Sequence, residues 1–85
     1  MEYKLNSNFS YYVDIFHIKL INMKEHKQLI LRYPDAAIFA LLIKRYTQSK
    51  MVNMISEIAH VTTEHAEGLI SDTIKMLKGN NVIER

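Results

Sequence analysis

Four histidines, nine carboxylates and no cysteine are the groups from which this 85-residue chain could assemble chemistry. His17, His26, His60 and His65 form no His-Glu-x-x-His or triad spacing, and His60 and His65 straddle a helix boundary, so no two ring nitrogens are aimed at one ion. Solvated surface positions are the ordinary place for such residues. Glu64, Glu67 and Asp72 follow one another along one helical segment, where the positive end of the helix dipole and water account for them. They do not make a paired acid and base. Without cysteine there is no disulfide framework, thiolate zinc site or thiol nucleophile. Gly68 and Gly79 are the only glycines and neither opens a helix, which removes the phosphate-cradling loop of nucleotide-binding proteins. The expectation is a non-catalytic protein with no metal and no cofactor.

Composition narrows the class further. Hydrophobic residues make up 48% of the chain, enough for one core, so residues 1–85 read as a single domain. A net charge of +2 with 24% charged residues favours neither disorder nor a strongly basic nucleic-acid binder. The start, Met1-Glu2-Tyr3-Lys4, lacks the basic-then-apolar pattern of a signal peptide, and the longest apolar stretch, Ala36 to Ile43, is too short for a membrane span. A cytoplasmic protein with no membrane or nucleic-acid partner is expected.

The elements that would position a site change character at Pro34. Before it, β-branched and aromatic residues predict three antiparallel strands: a short one around Tyr3 to Asn6, a long one over Tyr11 to Met23, and Gln28 to Tyr33 after the polar turn Lys24-Glu25-His26-Lys27. After it come three helices. The first opens on Pro34 and Asp35, runs to about Tyr46 and is apolar nearly all round, as a central buried helix must be. The second, capped by Ser49, ends near His60. The third follows a threonine cap at Thr62 or Thr63 and stops at Gly79-Asn80-Asn81, with Val82 and Ile83 folding back on it. Together they describe a winged-helix-like α+β domain.

A winged-helix DNA-binding transcription regulator is the alternative this topology offers. Its recognition helix would lead with Arg, Lys, Asn or Gln, whereas the third helix leads with Glu64, His65 and Glu67. On that helix Ala66, Ile70, Thr73, Ile74 and Leu77 form a core stripe, and Leu69 and Met76 lie on its flank with His65 and Asp72 beyond. So wide an apolar arc suits a deep core or one wall of a peptide groove. The other wall would be the strand Gln28, Leu29, Ile30, Leu31, Arg32, Tyr33, whose free edge can accept an extended peptide as an additional strand. Gly68 inside the helix suggests close packing there. Tyr11, Tyr12 and Tyr46 suit core, groove or interface alike.

In these features the chain resembles a PqqD-like RiPP recognition element, the domain that binds the leader segment of ribosomally made, post-translationally modified peptides. The resemblance covers about Leu20 to Ile83. It is carried by Leu31-Arg32-Tyr33-Pro34, Asp35-Ala36-Ala37-Ile38-Phe39, the short helix Met51 to Ala59, Val61-Thr62-Thr63-Glu64, and Leu77-Lys78-Gly79-Asn80-Asn81-Val82-Ile83. The hairpin Asn22 to Arg32 is similar to that of the stand-alone recognition proteins of lasso peptide pathways. Those often carry an acidic residue, a glycine and an asparagine where this chain has Asn22, His26 and Arg32. The resemblance implies a leader peptide lying on the third strand against the third helix, in contact with Gln28 to Tyr33, His65, Leu69, Asp72, Thr73 and Met76. It implies as partners a precursor peptide and a separate leader peptidase or cyclase, or a radical SAM or other modifying enzyme.

Overall fold

The computed structural model describes residues 3–85; Met1 and Glu2, part of the N-terminus read above for a targeting signal, lie outside the described residues. Five strands and three helices follow in the order β1 (Lys4–Leu5), β2 (Phe9–Val13), β3 (His17–Asn22), β4 (Lys27–Arg32), α1 (Asp35–Ile43), α2 (Gln48–Ala59), α3 (Thr63–Gly79) and β5 (Ile83–Glu84). The expected α+β arrangement, a three-stranded antiparallel sheet followed by three helices, is present, with sheet order β2-β3-β4.

The strands that make up this sheet are not the three expected. The stretch read as one long strand is a hairpin, folded at Asp14-Ile15-Phe16, in which Asp14 donates its N–H to the carbonyl of His17 at 2.8 Å. Ile15 and Phe16 hide the turn in the sequence because both are strand formers, yet they are 88% and 81% exposed. The segment near Tyr3 belongs to a separate two-stranded ribbon, where β1 pairs antiparallel with β5. Val82 and Ile83 do return to the end of α3 and are buried. The β3–β4 turn is held by Asn22, whose Oδ1 accepts the N–H groups of Lys24 and Glu25 at 3.0 Å each, with His26 left-handed at φ 59°.

Helix ends follow capping chemistry. Thr47, not Ser49, caps α2 by accepting the N–H of Lys50, and Thr62 caps α3 by accepting that of His65. The first helix ends at Ile43, three residues earlier than expected, because Arg45 turns left-handed at φ 61°. At the end of α3 the left-handed residue is Asn81. Its N–H reaches the Lys78 carbonyl at 3.0 Å and that of Val82 the Leu77 carbonyl at 2.9 Å, both bonds of a Schellman motif. Nothing lies within 4 Å of where a Cβ on Gly68 would stand, so the close packing expected there is absent.

The core lies between the sheet and the helices. Leu20 and Leu31 from the sheet, Ile38 and Phe39 from α1, Met51 and Ile55 from α2, and Ile70 and Leu77 from α3 are almost wholly buried. As its all-round apolar sequence requires, α1 packs on β4, α2 and α3.

Candidate functional site

Strand β4 pairs with β3 alone, through Arg32 opposite His17 to Lys27 opposite Asn22, so its other side is an open edge. On such an edge every second residue turns its N–H and C=O outward, unpaired. The alternation of a strand also divides its side chains. Leu29 and Leu31 face the helices; Gln28, Ile30 and Arg32 lie on the outer face beside Ile21, Lys19 and His17. Tyr33, just past the strand, is 57% exposed.

Two observations place α3 alongside this edge. At one end a hollow of about 270 Å³ is lined by Lys27, Gln28 and Leu29 and, across from them, by Gly79, Asn80, Asn81 and Val82. At the other, Thr73 Oγ1 donates to Asp35 Oδ1 at 2.7 Å, tying the middle of α3 to the first residue of α1, which follows β4 closely. Between these two points the C-terminal half of α3 passes the β4 edge, and the space between them is the candidate cleft. Met76 stands midway between Thr73 and Gly79 on its helical wall, half-buried. Leu69 is likewise half-buried on the same flank, and Asp72 and His65 are exposed there. Leu69 and His65 lie about 6 and 12 Å beyond Thr73 at 1.5 Å per residue, past the end of the strand.

Of the expected contact side chains, Ile30 and Arg32 lie on the outer face of the sheet, and Leu31 and Thr73 are buried. Leu31 is 1% exposed and Thr73 2%, the first in the core and the second occupied with Asp35, so Leu31 can offer a peptide only its backbone and Thr73 acts by fixing α3. Their types suggested groove contacts because an apolar strand residue and a helix threonine look alike whether they face a ligand or a core. Sequence reading also missed the polar mouth of the cleft, Asn22, Glu25, Lys27, Asn80 and Asn81; two turns far apart in the chain meet there, and only the hairpin register brings them together.

Backbone donors and acceptors along β4 face an apolar helix flank, with charges at the margins: Arg32 and Lys27 on the strand side, Asp72 on the helix. Among the described residues no group of three or more histidines and carboxylates could hold a metal ion. None of the described helices is long and apolar enough to cross a membrane.

No protein-family model and no curated protein matches the chain. The fold is shared with solved structures. The structure of a lasso peptide synthetase B1 complexed with the leader peptide superposes with a TM-score of 0.91 at 18% identity, covering 100% of both chains. That of TbiB1 in complex with the TbiA(beta) leader peptide superposes with a TM-score of 0.86 at 16% identity, covering 95% of this chain and 94% of the other. At such low identity, agreement over the full length shows a shared fold.

Proposed function

We propose that the protein binds the leader segment of a ribosomally synthesised precursor peptide and presents it to a separate processing enzyme, having no active site of its own. The carrying observation is the open edge of β4 with the Met76 flank of α3 beside it. The two structures of the same fold, both described as complexes with a leader peptide and one of them as a lasso peptide synthetase B1, support the choice of ligand and favour a lasso leader peptidase or cyclase as the enzyme served.

In this reading the leader adds to β4 as a fourth strand. Its hydrogen bonds contribute about 1 kcal/mol net apiece, and four or five of them are close to the 2–5 kcal/mol spent ordering a flexible peptide. Affinity and selectivity then come from apolar side chains inserted toward Met76, Leu69 and Leu29, with a polar or charged residue at the mouth near Lys27, Asn80 and Asn81. Held this way, the cleavage or modification site downstream of the leader is delivered at high effective concentration. The cytoplasm, where precursor peptides are made, is the proposed location.

The test is a titration of leader peptides from short precursor genes beside this one. Saturable one-to-one binding of a cognate leader is expected. Failure of every such leader to bind, with the protein folded, contradicts the proposal.

A further inference from the structure

On the flank of α3 opposite the cleft lies a second charged surface, centred on Tyr3. Its ring is almost buried, with Lys78 Nζ 5.1 Å from its centre and the Arg85 guanidinium carbon 5.7 Å away. The antiparallel register of β1 and β5, Lys4 opposite Glu84, is what brings Arg85 beside Tyr3. Two adjoining hollows share this tyrosine: one of about 150 Å³ lined by Tyr3, Lys4, Arg45 and Arg85, the other of about 250 Å³ whose walls include Lys75 and Lys78. Among the described residues, none of these five cations stands within 4.0 Å of a carboxylate; Glu84 is the acid facing Lys4 across the ribbon.

Five cations gathered in a chain whose net charge is +2 leave the remaining surface net negative. Like charges so grouped repel one another, and an anion between them relieves that repulsion. Arg45 sharpens the point. It occupies a left-handed position, φ 61°, where glycine or asparagine is the easy residue, and it is one of the residues lining the hollow.

We propose that this patch docks an acidic, carboxylate-bearing segment of the partner protein that receives the peptide. Only the identity of that partner rests on the function proposed above; the anionic chemistry rests on the patch. Lying across α3 from the cleft, the patch stays open when a leader is bound. A short acidic segment suits it better than a nucleic acid. Glu67 is exposed on the same flank about 12 Å up the helix from Lys75, where a duplex would place further phosphates.

The probe is fluorescent hexaglutamate, followed by anisotropy at low salt, with Arg45→Gly, Lys4→Gln and the double variant. Arg45→Gly removes the charge where glycine is conformationally favoured, so the fold is retained. Expected are saturable binding that weakens with salt, a loss of about threefold to fivefold in each variant and about tenfold in the double one. Leader affinity should be unchanged in all three. Unaltered hexaglutamate binding in the double variant, or tighter binding of a short DNA duplex than of hexaglutamate, overturns the proposal. If hexaglutamate behaves as expected while no leader binds, the docking surface stands and the leader-binding function falls.

Discussion

Met76 occupies the middle of the cleft wall, where a half-buried thioether can adapt to an incoming apolar side chain. Met76→Glu places a carboxylate against that side chain but within reach of water. Leader affinity is expected to fall at least about tenfold, with the circular dichroism spectrum retained. Thr73→Val tests the opposite kind of residue: it removes the bond to Asp35 that sets the helix against the end of β4, and about 1–2 kcal/mol of stability should be lost in urea unfolding. Gly68→Ala should do the reverse. The position is exposed with free space around it, so alanine is expected to add about 0.5–1 kcal/mol. Tyr3 provides a spectroscopic handle on the basic patch. Arg85, and after it Lys78, hold its phenol below the ordinary value of 10.0 against the desolvation that raises it. As an acid with a lowered pKa in the folded state, Tyr3 adds nothing at neutral pH, where it is protonated folded or unfolded. Its contribution develops as pH climbs through the folded value and is complete above the unfolded one. In an alkaline ultraviolet titration it should ionise before the tyrosine seen in the unfolded chain, and Lys78→Gln should delay it.

Elements decide what those residues can reach. An added strand presents only every second N–H to β4, so leader peptides N-methylated at alternate positions should divide sharply: one phase abolishes binding and the other leaves it largely intact. The helices were legible in outline because the threonine cap of α3, the Gly79-Asn80-Asn81 stop and a 3.6-residue apolar period are local signals, although Thr47 rather than Ser49 caps α2. The sheet was legible only in outline. Ile15 and Phe16 are strand-type residues placed in a turn, and the pairing of β1 with β5 joins opposite ends of the chain, which no local pattern encodes. The same holds for the cleft. The strand pattern of Gln28 to Tyr33 and the wide arc of α3 suggest two walls, but burial of Leu31 and Thr73 depends on tertiary contacts.

At the scale of the whole molecule, a small core carries two unlike faces on either side of one helix. One has unpaired backbone beside apolar side chains; the other carries basic groups around a tyrosine. Strand β2 is also an open edge, so the sheet offers two places for an incoming strand, and it is Asp35, just past β4, that is bonded to Thr73 of α3. Hydrogen exchange of the backbone amides, with and without a saturating cognate leader, distinguishes them. Slowed exchange at alternate residues of Lys27–Arg32, with Phe9–Val13 unchanged, is the result this account predicts. Protection confined to Phe9–Val13, or none in either strand at saturation, would contradict it.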